Sequence, residues 1–307
     1  MDNQEIIKNF IEEKKLEVSF DHSLQTHTTI GTGGKADFFF APSHASKLKE
    51  MFRFICDNKI NYKIIGNGSN LLVSDKGVRG FVITLENLPQ KINIGSNFIQ
   101  VSSNYINKDF INFCIEQGAS GMEFLSGIPG TMGGLIAMNA GAFDFEIGNF
   151  IEDINVIDNT GTRKNIIQSE IEFNYRKTKV NLHDYVIISS RLNYEESTSE
   201  EVKKQSQNYL EKRNTLHLNK YPTFGSVFRN GDGYYAGEVI EKCDLKGKKI
   251  GDAKISEEHA NFIINNGNAN SADVFKLIKL AKVKAKEKFG IHLQTEVRLW
   301  GDFSYVS

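Results

Sequence analysis

Gly66-Asn67-Gly68-Ser69-Asn70 is the first run in the chain whose residue types could do chemistry. It follows an apolar, strand-like segment, Tyr62 to Ile65, and leads into Leu71-Leu72-Val73. Two glycines permit positive φ, so successive backbone N–H groups can fold into an anion-holding concavity. Ser69 and Asn70 add side-chain donors. The set suits a pyrophosphate, although the same residues also make an ordinary tight turn. A second run is more specific: Gly127-Ile128-Pro129-Gly130-Thr131-Met132-Gly133-Gly134-Leu135-Ile136-Ala137-Met138-Asn139-Ala140-Gly141-Ala142. Its five glycines in sixteen residues sit among small or apolar companions, where a solvated linker would carry serine and charge. Such a backbone can pass close to a large flat ligand, or serve close helix packing. It is not a GxGxxG after a strand with a downstream acid, so a Rossmann-type dinucleotide fold is not supported.

Other chemistry is absent from the sequence pattern. Gly31-Thr32-Gly33-Gly34-Lys35 has the wrong spacing for a P-loop, and Ala36 stands where a magnesium-binding hydroxyl would be needed. His22 and His27 lie five apart with no nearby acidic or cysteine cluster. No spacing suggests zinc and no Ser-His-Asp arrangement stands out, so no metal site is expected. Cys56, Cys114 and Cys243 are odd in number, far apart and without a CxxC pair, which reads as reduced thiols of a cytoplasmic protein.

The elements that must position these runs can be read from periodicity. The N-terminal MDNQEIIKNFIEEKK reads as an amphipathic helix and lacks the apolar block of a signal peptide. Leu48, Met51, Phe52 and Ile55 sit at helical spacing over 43–58, with Ser43 as a candidate N-cap. Short strands are expected at 62–65, 71–73, 80–84, 92–94, 98–101, 151–157 and 185–192, with a helix near 107–117. A polar, acidic stretch from Glu195 to Glu201 leads into a charged helix ending near Arg213. The expected boundary lies there, giving domains 1–197 and 198–307, the first split near 85–90. Beyond it, a helix is expected near 235–243. Another begins around Ser271, with Val274, Leu277, Ile278 and Ala281 on one face and Gly290 at C′. A final strand is expected from Leu293 to Leu299, with Glu296 and Arg298 on one face and Val297 on the other. Many short strands with few crossover helices make an α+β protein.

The 307 residues are ample for two cores. The 37 Lys plus Arg against 38 Asp plus Glu give a net charge of −1. Neither nucleic acid nor an anionic membrane is expected as a partner by bulk electrostatics. No apolar stretch is long enough to span a bilayer. A phosphate-bearing ligand must therefore be held by local geometry.

Taken in order, the motifs resemble the UDP-N-acetylenolpyruvoylglucosamine reductase (MurB) family. The matching runs are Thr28-Thr29-Ile30-Gly31 with Gly33-Gly34, Gly66 to Leu72, Gly127 to Gly134, Asn139 to Ala142, and Tyr175-Arg176. They continue through Gly225-Ser226-Val227-Phe228-Arg229-Asn230, Ser256-Glu257-Glu258-His259-Ala260 and Glu296-Val297-Arg298. The resemblance covers roughly residues 20 to 303. It implies an FAD-binding half of the vanillyl-alcohol-oxidase (PCMH) type followed by a smaller α+β substrate domain. It also implies that Gly66, Asn67, Gly68, Ser69, Asn70 and Leu71 hold the FAD pyrophosphate. Gly127, Ile128, Pro129, Gly130, Thr131, Gly133 and Gly134, with Asn139, Ala140 and Gly141, would line the flavin. Non-covalent FAD is expected, and none of the seven histidines is marked out as a covalent anchor.

The implied activity is NADPH-dependent reduction of a nucleotide sugar, UDP-N-acetyl-enolpyruvoylglucosamine, to UDP-N-acetylmuramate, a cytoplasmic step of peptidoglycan precursor synthesis. By the same resemblance Ser226 is the proton donor, and Arg176 and Glu296 stabilise the enolate. Taken alone, Ser226 could be a turn serine, Arg176 a surface ion pair and Glu296 an exposed strand edge. Arg229 and Asn230 are candidates for the diphosphate of the substrate. The family often has Lys-Asn-Pro there, and this chain has Arg229-Asn230-Gly231. The short interval from Arg176 to Ser226 places the chain in the branch without a tyrosine-bearing loop. Rival readings are an FAD oxidase of an alcohol or sugar lactone, a non-catalytic flavin or nucleotide-sugar binder, and a flavin-free two-domain protein.

Overall fold

A computed structural model describes residues 3–180, 184–214 and 221–306. The chain folds as two compact units. Unit 1 comprises residues 1–21, 38–66 and 80–210; unit 2 comprises 22–37, 67–79 and 211–307. The boundary expected at 197/198 is linear, whereas these units are threaded. Two early segments of the chain, 22–37 and 67–79, belong with the C-terminal unit.

Unit 1 begins with α1 (Asn3–Glu13), which buries Ile7 and Ile11 and stacks Phe10 on Phe54. Phe54 belongs to α2 (Ala45–Asp57). The helix starts two residues after Ser43, with His44 at the N-cap and no side-chain capping bond. The expected apolar stripe is buried in full: Leu48, Met51, Phe52 and Ile55 are each 0% exposed, a burial that stabilises by about 1.5–3 kcal/mol per side chain. They form a core with Phe40, Phe81 and Ile83. The adjoining sheet runs in the order Val18–Ser23, Lys35–Phe40, Val78–Thr84, Tyr62–Ile65, its last two strands parallel.

The second core of unit 1 lies under a five-stranded antiparallel sheet. Its order is Arg163–Ile167, Ile151–Asp158, Tyr185–Asn193, Phe98–Ser102, Ile92–Ile94. Ile99, Val101, Ile154 and Val156 from this sheet pack with Phe110 of α3 (Asn107–Gln117) and Ile136 of α4 (Met132–Ala137). After Glu195–Glu196 the chain enters α5 (Ser199–Asn214).

Unit 2 is built on a four-stranded sheet ordered Thr223–Ser226, Phe262–Asn265, Ala253–Ile255, Lys249–Ile250. Against it pack α6 (Ala236–Lys242) and α7 (Ser271–Phe289), whose Leu277 and Ile278 share a core with Phe224, Phe228 and Val297. The first turn of α7 is well satisfied. Asn270 Oδ1 accepts from Asp273 N at 2.8 Å, and the Asp75 carboxylate accepts from Ser271 N at 2.9 Å and Ala272 N at 3.0 Å. Gly290 closes the helix at φ 69° as expected.

The C-terminal strand departs from expectation. It covers Arg298–Trp300, not Leu293 to Leu299, and pairs in parallel with Leu71–Val73. Upstream of it the main chain leaves the regular ladder, because residues 294–297 bond individually to Val227 and Arg229. Among the described residues no helix is long and apolar enough to cross a membrane.

Candidate functional site

Gly66 ends the strand Tyr62–Ile65, and a Cβ added there would stand 2.5 Å from Thr131 Oγ1. Thr131 caps α4, its hydroxyl accepting from Gly134 N at 3.3 Å. The segment 130–133 lies flat on 103–107. Asn107 N donates to Gly130 O at 2.9 Å, Met132 N to Tyr105 O at 2.9 Å, and Gly133 N to Ser103 O at 2.8 Å. A Cβ on Gly133 would meet Ser103 Cβ at 2.8 Å. The buried carboxamide of Asn107 donates to Leu125 O at 2.9 Å and Ile128 O at 2.8 Å. It thereby pins the bend around Gly127, where φ is 77°. Close backbone packing inside unit 1 thus demands glycine at 133, and at 141, where a Cβ would stand 2.4 Å from Phe145 O.

Further along the run, strained backbone collects at one place. Eight described non-glycine residues have positive φ, and four of them belong to segments that meet at Gly141: Asn139 at 42°, Phe143 at 54°, Asp144 at 67° and Arg176 at 57°. Left-handed conformations in such residues persist only where surroundings over-determine them. Arg176 is the second residue of a two-residue turn joining Ile171–Asn174 to Lys177–Val180. Its guanidinium donates to Gly141 O at 3.0 Å and lies 4.7 Å from the Tyr175 ring centre. Asn139 ties the turn down. Its Nδ2 donates to Asn174 O at 3.1 Å and Glu146 Oε2 at 2.7 Å, and its Oδ1 accepts from Gly148 N at 3.0 Å. Asn139 is fully buried and its carboxamide is committed within the protein. Ala140 N and O are likewise bonded, to Leu135 O and Ile147 N.

In unit 2, Gly68 has φ 61°, and a Cβ there would stand 2.0 Å from His27 O. Asn70 Nδ2 donates to Glu296 O at 3.3 Å, and Arg298 N donates to Asn70 O at 3.0 Å. Glu296 N in turn donates to Val227 O at 2.8 Å. Asn70, the residue after Ser226, and the 296–298 segment are therefore linked by three hydrogen bonds. Ser226 ends its strand opposite Phe262, beyond a register shift, and follows Gly225 at φ 81°. No heavy atom lies within 4 Å of where a Cβ on Gly225 would stand. Ser226 and Glu296 are half-buried, while Val297 points into the core at 3% exposure. Arg229 N donates to Gln294 O at 2.9 Å, and Asn230 Oδ1 accepts from Ala236 N at 3.0 Å, which starts α6.

The candidate residues thus fall in two groups. Gly66, Gly127–Gly134, Asn139–Gly141 and Arg176 belong to unit 1; Asn67–Leu71, Ser226, Arg229, Asn230 and Glu296 belong to unit 2. Four buried asparagines escaped the sequence reading: Asn104, Asn107, Asn261 and Asn265. Asn265 Nδ2 donates to Ile30 O at 2.9 Å and fastens the Thr28–Gly31 run. Their one visible signal is an amide in a segment otherwise apolar or turn-like. Burial pushes the Cys56 thiol up to about 11 and raises those of Cys114 and Cys243, so none is poised as a nucleophile. Among the described residues no cluster of His, Cys, Asp and Glu could hold a metal ion.

The chemistry of the donors fits FAD. In the Gly66–Asn70 turn Gly66 and Asn67 are exposed and Ser69 and Asn70 half-buried, a run of small and polar residues of the kind that suits a pyrophosphate. Known proteins agree. The family model described as FAD binding domain matches residues 36–166. That described as UDP-N-acetylenolpyruvoylglucosamine reductase, C-terminal domain, matches residues 217–300. The chain is 36% identical over 299 residues to the UDP-N-acetylenolpyruvoylglucosamine reductase of Caldanaerobacter subterraneus subsp. tengcongensis, covering 96% of this chain and 97% of that one. To the reductase of the same name from Clostridioides difficile it is 32% identical over 303 residues, 98% of this chain and 100% of that one. The crystal structure of the Thermus caldophilus enzyme (MurB) superposes with a TM-score of 0.79 at 30% identity, covering 93% of this chain and 99% of that one. On this near-full-length likeness the chain belongs to the UDP-N-acetylenolpyruvoylglucosamine reductase (MurB) family of FAD-dependent oxidoreductases.

Proposed function

We propose that this protein reduces UDP-N-acetyl-enolpyruvoylglucosamine to UDP-N-acetylmuramate with NADPH as the hydride donor, a cytoplasmic step of peptidoglycan precursor synthesis. The reading is carried by one observation: Asn70, the Ser226–Val227 segment and Glu296 are hydrogen-bonded into one cluster, in a chain with the family's motifs in order. FAD, when bound without a covalent link, supplies the carrier that accepts hydride from NADPH and passes it to the terminal enolpyruvyl carbon.

Residues 1–197 would bind FAD and 198–307 the nucleotide sugar. Gly66, Asn67, Gly68, Ser69, Asn70 and Leu71 hold the pyrophosphate through backbone N–H groups and short donors. Gly127 to Gly134 and Asn139 to Gly141 bring bare backbone against the flavin ring. For Asn139, whose carboxamide is spent on its own neighbours, that contact is made by the main chain. Arg176 opposes the substrate carboxylate, where negative charge grows as hydride adds to the neighbouring carbon. Its guanidinium stays charged through the reaction. Glu296 polarises the enol oxygen. Ser226 Oγ–H then gives its proton to the carbon bearing the carboxylate. A serine hydroxyl is a weak acid, so it acts only on a strongly basic enolate at close range. Arg229 and Asn230 contact the diphosphate.

Ser226→Ala tests the assignment in half-reactions. Flavin reduction by NADPH stays near the wild-type rate, and reoxidation by the enolpyruvyl substrate slows by about 10²-fold or more. Equal impairment of both half-reactions in stopped-flow traces would refute the proton-donor role.

A further inference from the structure

The proton-donor reading leaves one physical question about Ser226. A hydroxyl that protonates a transient enolate must be held to within a fraction of an ångström, since small misplacements cost orders of magnitude in rate. Upstream of Ser226, the Thr223 hydroxyl donates to Ile263 O at 2.8 Å and accepts from Gly225 N at 3.3 Å, so the strand is tied at Thr223. Gly225 has no side chain, sits at φ 81°, and has no heavy atom within 4 Å of its Cβ position. The ladder to the neighbouring strand is also irregular there, shifting register between Thr223 and Ser226. The downstream side holds the chain more closely.

There a single buried side chain makes a two-point clamp. Asn261, 4% exposed, accepts at Oδ1 from Phe228 N at 2.9 Å and donates from Nδ2 to Phe228 O at 2.8 Å. Its own carbonyl accepts from Val227 N at 2.8 Å. The carboxamide thus takes the place of a neighbouring strand residue, satisfying both main-chain groups of Phe228. On the other side Val227 O accepts from Glu296 N at 2.8 Å and Arg229 N donates to Gln294 O at 2.9 Å. The dipeptide after Ser226 is gripped between Asn261 and the Glu296 segment.

Asn261 is itself anchored. Its N–H donates to His259 Nδ1 at 3.1 Å, which requires that nitrogen to carry a lone pair. Burial of the imidazole favours that neutral form. A Cβ on Gly237 would come within 2.9 Å of His259 Cε1, so α6 leaves the ring no room to turn away on that side.

We propose that Asn261, backed by His259, is the positioning residue that holds Ser226 in its reactive orientation. The inference rests on the proton-donor reading of Ser226 and adds a residue outside every motif that carries the family resemblance. It acts through main-chain bonds and never touches the substrate.

The test is a double-mutant cycle on the FAD-loaded enzyme, read by anaerobic stopped-flow. Asn261→Ala removes both clamp bonds. Asn261→Asp keeps the acceptor for Phe228 N and loses the donor to Phe228 O, and serves if the alanine variant does not fold. Each slows flavin reoxidation by the enolpyruvyl substrate, the alanine variant by about 10- to 100-fold. Flavin reduction by NADPH stays within about twofold. In a Ser226→Ala background the effect of either substitution shrinks to within about twofold, because the hydroxyl it positions is gone. An undiminished effect in that background overturns the inference while leaving Ser226 as donor. If Ser226→Ala alone does not slow reoxidation, both readings fall together. Amide exchange gives a readout independent of activity. Val227 and Phe228 exchange faster in both variants, with the Phe262–Asn265 strand unchanged. Unaltered protection at Val227 and Phe228 also overturns the proposal.

Discussion

Arg229 is held through its main chain and Asn230 through its side-chain oxygen. Arg229 N is bonded to Gln294 O, and Asn230 Oδ1 begins α6. If Arg229 contacts the substrate diphosphate, Arg229→Ala removes binding that is equal in ground and transition states. KM for the nucleotide sugar then rises by roughly 10- to 100-fold with kcat little changed, matching the ~1.5–3 kcal/mol of a charge-assisted hydrogen bond. An unchanged KM removes Arg229 from the substrate site. At this scale the sequence is legible where a residue type is unusual for its place, as with glycine runs and an arginine beside a tyrosine. It is silent about Asn107, Asn261 and Asn265. Asn107 opens a helix and Asn265 ends a strand, places where asparagine reads as a boundary residue, and nothing local reveals that the partners of the three stand 18, 33 and 235 positions away.

Elements were easiest to read where apolar periodicity is strong. The stripe of α2 and the face of α7 were both visible, because burial of every third or fourth side chain is written directly into the residue order. The end of the chain was not. Leu293 to Leu299 has the alternation of a strand, and the alternation is real, since Val297 is buried and Glu296 and Arg298 are not. Yet the regular ladder begins only at Arg298, because the groups before it bond to single residues of the Ser226 segment. The turn at Gly66–Asn70 makes a sharper claim. Gly68 is held left-handed with its α-carbon against the 27–28 main chain. Gly68→Ala adds the left-handed penalty of about 1–2 kcal/mol and a methyl 2.0 Å from His27 O. A loss of more than about 2 kcal/mol is expected in urea unfolding of the FAD-free protein. A midpoint within error of wild type would mean that the close approach does not exist.

For the whole molecule, composition bounded the answer without locating it. A net charge of −1 directs attention to local phosphate geometry, and the acidic stretch 195–201 runs into α5, whose residues up to Leu210 stay in unit 1. What no linear reading could supply is that 22–37 and 67–79 belong with the C-terminal unit. Pairing between distant stretches leaves no compositional trace where it occurs. That threading puts Asn70 beside Glu296, and so gives the C-terminal unit most of the Gly66–Asn70 turn. The proposed reaction is best tested on the purified protein with anaerobic absorbance at flavin wavelengths, adding NADPH and then UDP-N-acetyl-enolpyruvoylglucosamine. Bleaching by the first and full recovery by the second are expected, with UDP-N-acetylmuramate as product. Bleaching that the enolpyruvyl substrate does not reverse, or a protein that takes up no FAD on incubation, would contradict it.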